Sequence, residues 1–237
     1  MQQKLATILI ALWKAGRFLE AKLENLRALE GFEDCWVVLL NCENHDKEAL
    51  IYNEFLVDNP NVIDIRYSKH INLYPTWNDG ILGTSSRFIL NSNVDDMLHP
   101  SYVQRCCGWL DSHPEYACVS SSVLVTQKPN QPDHTTWQWK RKMPFKAYPQ
   151  SSAGPCPIWR RELHEKYGYF GDYRVIGDAR LWEKWKAGGE QFGLIKEDLV
   201  LYFRHNKSLE MRFDKNGTLY RDLDLEEDKS KLKATKG

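Results

Sequence analysis

Arg87-Phe-Ile-Leu-Asn-Ser-Asn-Val-Asp-Asp-Met-Leu-His-Pro100 is the stretch on which the reading of this chain turns. It begins as a buried strand, Phe88-Ile89-Leu90, and breaks into amides, a hydroxyl and carboxylates at Asn91, Ser92, Asn93, Asp95 and Asp96. A strand that ends in clustered oxygen donors sets hard ligands at the carboxyl edge of a sheet. That suits Mg²⁺ or Mn²⁺ carrying phosphates, and open α/β sheets bind ligands at that edge. The same residues also suit a turn whose Asp and Asn cap the next helix. Taken alone, the stretch leaves both readings open.

Upstream, Leu5-Ala-Thr-Ile-Leu-Ile-Ala-Leu12 is a continuous apolar run rich in β-formers, as a strand covered on both faces requires. Gly16 marks a turn. Leu19, Leu23 and Leu26 then recur at i, i+4 and i+7 on one helix face, which Gly31 stops. Cys35-Trp-Val-Val-Leu-Leu40 is a second buried strand, ending in the polar loop Asn41-Cys42-Glu43-Asn44-His45-Asp46. A helix from about Lys47 to Val57 is closed by Asn59-Pro60, and Val62-Ile-Asp-Ile-Arg-Tyr67 is a third strand. A short helix over Pro75–Thr84 leads into the strand at Arg87–Leu90. This alternation predicts a parallel sheet with right-handed crossovers.

Downstream, Pro100 sits at the start of a helix whose apolar stripe is Val103, Cys107 and Leu110. Tyr116–Val125 reads as a strand. Lys128–Pro149 mixes prolines with basic and aromatic residues, Trp137, Trp139, Lys140, Arg141 and Tyr148 among them. It reads as a long loop over the sheet edge, and such interleaving suits an acidic glycan or a nucleic-acid strand. A helix over Arg160–Tyr167, a Gly-rich turn up to Gly177, and a helix faced by Leu181, Trp182 and Trp185 follow. Phe192–Ile195 and Leu199–Phe203 read as two short strands, and the charged stretch from Asp214 onward as a peripheral helix or frayed tail.

The bulk numbers bound the function. The chain has 237 residues, with 32 Lys plus Arg against 32 Asp plus Glu. That fits one α/β domain, and zero net charge argues against a dominant nucleic-acid footprint. The six cysteines form no C-x-x-C pair, so a zinc site is not expected and a reducing cytoplasm is. The apolar start, Leu5–Trp13, is too short to span a bilayer.

Three pieces in this order resemble the family 2 glycosyltransferases, which have the GT-A fold. The first is the strand pair at the start, the second of which ends in a polar loop. The second is Tyr74-Pro-Thr-Trp-Asn-Asp-Gly-Ile81 ahead of Phe88–Pro100, similar to an Asn-x-Gly-Ile helix followed by a strand and a D-x-D signature. The third is Trp159-Arg-Arg-Glu-Leu163, Gly168-Tyr-Phe170, Asp178-Ala-Arg-Leu-Trp182 and Gly188, similar to an acceptor-side stretch in which an Asp opens a helix. The D-x-D appears as Asn93-Val94-Asp95, with Asp96 following, so one carboxylate is an amide here.

The resemblance implies an α/β fold of GT-A type, a Rossmann-like, mostly parallel sheet flanked by helices, with a smaller acceptor-side region. It covers about residues 5–212; the implied single domain is 1–212, divided into a nucleotide-binding half (about 1–125) and an acceptor half (126–212), with 213–237 as a charged tail. It implies an inverting transfer of a sugar from a nucleotide-diphosphate sugar, expected to be a UDP-sugar, to a hydroxyl of a glycan or lipid-linked acceptor. Asp178 is implied as general base, with capping of its helix as the plain alternative. Asp95, Asp96 and His205 are implied as ligands of Mn²⁺ or Mg²⁺. Trp13, Asn41, Glu43, Lys69, Asn78, Asn93 and Asp95 are implied around the donor, with Trp159 and Trp182 toward the acceptor. A modified base in DNA as acceptor, and a non-catalytic sugar-binding domain, are the competing expectations. The expected location is the cytoplasm, or the inner membrane face as a peripheral protein.

Overall fold

A computed structural model describes residues 3–42, 49–126, 141–142, 153–203 and 216–234. The elements run β1 (Lys4–Leu12), α1 (Gly16–Arg27), a 3-10 turn (Phe32–Asp34), β2 (Cys35–Asn41), α2 (Ala49–Asp58), β3 (Val62–Arg66), α3 (Leu73–Leu82) and β4 (Ser86–Asn91). There follow β5 (Met97–Leu98), α4 (Tyr102–Ser112), β6 (Tyr116–Thr126), β7 (Arg141–Lys142), β8 (Ile158–Arg160), α5 (Glu162–Tyr167), α6 (Gly177–Ala187), β9 (Gln191–Phe203) and α7 (Tyr220–Ala234).

The strands form one sheet in the order β3-β2-β1-β4-β8-β6-β9-β5, with β7 paired to β6. β1 lies between β2 and β4 and is parallel to both, and β3 is parallel to β2. β8 runs antiparallel between β4 and β6, so β6 and its parallel partner β9 keep the direction of the first four strands. The expected mostly parallel sheet is present, and helices cover both of its faces.

The reason is in the strand composition. Ala6, Thr7, Ile8, Leu9 and Ile10 are all fully buried. Side chains alternate between the faces of a strand. Ile8, Ile10, Val37, Leu39, Phe88 and Leu90 therefore pack in one core with α1 and α4. Leu9, Val38, Leu40 and Ile89 pack in another with α3 and α6. Gly80 has a packing role in the second core: a Cβ there would sit 2.6 Å from the Leu9 side chain, so α3 lies close against β1.

Three strands differ from the expectation. Residues 191–203 form one strand rather than two. Its register against β6 shifts around Ser121 and Ser122, so the polar Lys196-Glu197 step is a bulge and not a break. β5 and β8 are too short to carry a periodic signal. The charged C-terminal stretch folds as α7, and its Asp224 is fully buried against the body.

No helix of the described residues is long and apolar enough to cross a membrane. All six cysteines are free thiols. Burial pushes Cys35, Cys106 and Cys156 up to about 12, as expected of inert packing residues.

Against the second core packs one buried histidine, His164. Its Nε2 accepts from Trp159 Nε1 at 2.9 Å, and Nδ1 lies 3.1 Å from the Gly168 carbonyl. Burial is the main cause that lowers it from 6.5 to about 4. The folded state thus favours the neutral ring, while the unfolded chain protonates near the ordinary value. The stability this group contributes is present above about 6.5 and lost as pH falls toward 4. Urea unfolding at pH 7.5 and 4.5 is expected to differ by on the order of 2–3 kcal/mol through this group. His164→Gln should lack that part of the difference; an unchanged pH slope in this variant would show that His164 does not carry it.

Candidate active site at the carboxyl edge of the sheet

β1, β2 and β3 end in register, Leu12 opposite Asn41 and Asn41 opposite Arg66, while Asn91 of β4 lies beside Leu9. Trp13, Asn41, Tyr67 and the Asn91–Asp96 turn therefore emerge on one edge. The chain leaves β1 toward β2 on one side and returns to β4 on the other. That is the switch point at which α/β sheets open a ligand crevice.

The acidic turn is pinned from below. The Ser92 N–H donates to Leu9 O at 3.0 Å, and the Asp96 N–H to Asn93 O at 3.2 Å. Asn93 is exposed, Asp95 half-buried and Asp96 fully enclosed. Asp96 Oδ1 accepts from the Phe203 N–H at 3.2 Å, and Oδ2 from the Asn93 amide at 3.1 Å. Burial, and then the neighbouring Asp95 carboxylate, hold the Asp96 carboxyl well above the usual range. Lys22 of α1, also fully buried, donates from Nζ to Ser92 Oγ at 2.6 Å and to Asp96 O at 2.9 Å. Burial lowers its ammonium. Asn25, one turn on, exchanges hydrogen bonds with the main chain of Leu98 at 2.7 and 2.9 Å.

Asp96, expected among the metal ligands, is instead enclosed, with both carboxylate oxygens engaged by protein donors. Lys22 and Asn25 were not singled out from the sequence. Their signal is two polar residues on the apolar face that carries Leu19, Leu23 and Leu26.

At the end of β1, the Trp13 ring lies 4.2 Å from the His70 ring with Lys14 Nζ 4.6 Å over it. Asn41 is buried, and its amide lies 3.3 Å from the Tyr52 hydroxyl, which donates in turn to Asp64. Lys69 is exposed. Asn91 Oδ1 is buried with no hydrogen-bond partner, an open acceptor at the strand end. Asn78 is a correction: its amide donates to Phe170 O at 2.8 Å and accepts from Phe170 N at 3.0 Å. Both ends clasp the main chain, so it ties α3 to the Phe170 segment and leaves neither amide atom for a ligand. Glu43, His205 and most of the 128–149 loop lie outside the described residues.

Asp178 lies in the first turn of α6, behind an N-cap at Ile176, so it is not the cap itself. The positive end of the helix favours its carboxylate. Its Oδ1 accepts from Tyr74 Oη at 3.0 Å and from the Ala179 N–H at 2.7 Å. Val175 O also lies within hydrogen-bond reach of Tyr74 Oη, so the one hydroxyl hydrogen is shared between these two acceptors. Tyr74 opens α3, which follows the carboxyl end of β3, so Asp178 faces the same edge as Asp95. Trp159 and Trp182 are corrected: at 0% and 2% exposure they stack with Phe170 and Trp185 inside the second core and line no acceptor site.

Among the described residues no three His, Cys, Asp or Glu side chains converge to hold a metal. One presented carboxylate, Asp95, fits a hard cation of the Mg²⁺ or Mn²⁺ kind that is shared with substrate phosphates. It does not fit a zinc site. A cavity of about 520 Å³ lies elsewhere, at the amino end of β6, lined by Glu115, Tyr116, Arg160, Glu162 and Glu190. Its place at the opposite edge separates it from this carboxylate pair.

No family model and no curated protein matches the sequence. Solved structures match the fold. The S. aureus TarS 1-349 structure in complex with UDP-GlcNAc matches with a TM-score of 0.72 at 11% identity, over 89% of this chain and 62% of that one. A mannosyltransferase from Pyrobaculum calidifontis in complex with GDP-Man and Mn²⁺ matches with a TM-score of 0.66 at 13% identity, over 88% of this chain and 59% of that one. The chain has the GT-A fold, and it spans about three fifths of the length of these structures.

Gly177 gives a direct check on the site. A Cβ there would fall 2.5–2.8 Å from Tyr74 ring atoms, so the ring lies flat on the glycine beside Asp178. Gly177→Ala is expected to cost about 1–3 kcal/mol through displaced packing. In a double-mutant cycle with Tyr74→Leu the two losses should be strongly non-additive. Additive losses in urea unfolding would mean that the two do not press on each other.

Proposed function

We propose that the chain is an inverting glycosyltransferase that moves a sugar from a UDP-sugar to a hydroxyl of a glycan or lipid-linked acceptor. The observation that carries this reading is Asp178: a half-buried carboxylate held by Tyr74 at a helix start, on the sheet edge where Asp95 also emerges. The TarS complex with UDP-GlcNAc and the mannosyltransferase complex with GDP-Man and Mn²⁺ support the donor class.

Displacement at the anomeric carbon needs an acceptor oxygen stripped of its proton, a leaving diphosphate whose charge is neutralised, and alignment of the two. In this reading the Asp178 carboxylate accepts the proton as the new C–O bond forms and the bond to the diphosphate oxygen breaks on the opposite face. Tyr74 and the Ala179 N–H fix the carboxylate's direction. Asp95 would hold Mn²⁺ or Mg²⁺, with Asn93 beside it in the same turn. A divalent cation there supplies Lewis-acid neutralisation of the leaving group. His205, two residues beyond the Phe203 N–H that meets Asp96, is its proposed protein partner. Trp13 stacks the base, Asn41 and Glu43 read its edge, and Lys69 meets phosphate. Residues to about 125 bind the donor, and those from 126 onward serve the acceptor. Asn93 in place of a carboxylate is the feature that favours a binding-only domain instead.

Calorimetry and UDP release separate these readings. UDP is expected to bind with Mn²⁺ and to lose at least tenfold in affinity with EDTA or in Asp95→Ala. UDP-sugar hydrolysis is expected to fall about 10²–10⁴-fold in Asp178→Asn with UDP affinity kept. A protein that binds no nucleotide with Mn²⁺, or an Asp178→Asn variant as active as the parent, would sink the proposal. Binding without turnover would leave the sugar-binding reading.

A further inference from the structure

We propose that Asp224 of α7 is a positioning residue for Asp178, acting on it through the peptide unit that joins Val175 to Ile176. The inference rests on Asp178 being the base. Asp224 is fully buried, and a carboxylate is an acceptor only. It takes the Arg174 N–H at 3.1 Å to each oxygen, the Val175 N–H at 2.8 Å and the Ile176 N–H at 3.2 Å, with Arg174 Nη1 at 3.1 Å.

These donors are the main-chain groups just ahead of α6. Ile176 is the N-cap of α6 and makes no side-chain cap, so α7 supplies from another part of the chain an acceptor for the main-chain N–H groups just ahead of the helix. The Val175–Ile176 peptide is then held from both ends. Its N–H donates to Asp224, and its carbonyl accepts from the Tyr74 hydroxyl that also contacts Asp178 Oδ1. Asp224, one peptide plane, Tyr74 and Asp178 form a continuous polar chain.

Further polar contacts seat α7 beside Asp224. Glu227 lies 2.7 Å from Arg174 Nη2, and Tyr173 Oη donates to Asp228 at 2.7 Å. Arg180 Nε lies 2.6 Å from Asp228 Oδ2, an ion pair whose N–H is not aligned for a hydrogen bond. A helix seated by ion pairs and by one buried carboxylate is placed by direction, because hydrogen bonds to a carboxylate fix angles that apolar packing leaves loose. Misaiming a catalytic group by about 1 Å costs on the order of 10²-fold.

The full chain carrying Asp224→Asn is tested for UDP-sugar hydrolysis and for Mn²⁺-dependent UDP binding. The expected result is a kcat loss of about ten- to hundredfold with UDP affinity and the donor KM unchanged. In the Asp178→Asn background, Asp224→Asn should remove almost nothing more, since there is no base left to aim. Tyr74→Phe, which cuts the same chain without touching α7, should show the same pattern and stands in if Asp224→Asn does not fold. Glu227→Gln, at the exposed rim, should leave kcat unchanged. Losses that add to those of Asp178→Asn, or UDP affinity that falls along with kcat, would overturn the proposal and reduce Asp224 to a fold anchor. An Asp178→Asn variant with full activity would defeat the base assignment itself, whatever Asp224 does.

Discussion

β1 is enclosed on every side. Parallel partners fill both of its edges, and apolar layers cover both of its faces. A strand buried in this way must have helices above and below it, so every return from one strand end to the next crosses a face and starts at the carboxyl edge. That constraint collects Trp13, Asn41 and the Asn91–Asp96 turn on one rim of the molecule. It also leaves their backbone polar groups at an edge where the sheet no longer satisfies them.

Where the sheet stops, buried polar groups take over. Lys22, Asp96 and Asp224 are each fully enclosed. Burying such groups is costly unless they are paired and hydrogen-bonded, and each one here is tied to main chain at a functional segment. Lys22 and Asp96 hold the turn that presents Asp95. Asp224 holds the segment that presents Asp178. Replacing these groups by apolar ones could preserve packing, but it would leave the main-chain groups they serve without partners.

The apolar strands, the helices between them and the acidic turn are legible in the sequence because each depends on a local run or period. The aromatic residues mislead for a physical reason. Trp159 and Trp182 have the chemistry of a sugar platform, yet their surface is consumed by Phe170, Trp185 and His164. Nothing local distinguishes a stacked core ring from a stacking surface. Asn78 misleads in the same way. An amide suits a ligand or a main-chain clasp equally well, and only the approach of Phe170 decides it.

By itself the sequence determined that β1, β2 and β4 are buried strands, that β3 is a strand and that oxygen donors cluster after β4, since strand burial and turn chemistry are written in consecutive residues. It also placed an Asp at the start of the Trp-rich helix. Only the tertiary structure decided which acids are presented and which are enclosed. Asp95 and Asp96 are neighbours of identical chemistry, and they part because the Phe203 N–H, brought from the far end of β9, captures one of them. The same holds for α7. Its sequence is charged and almost without an apolar stripe, so nothing local seats it. Its place comes from donors about fifty residues away that need an acceptor.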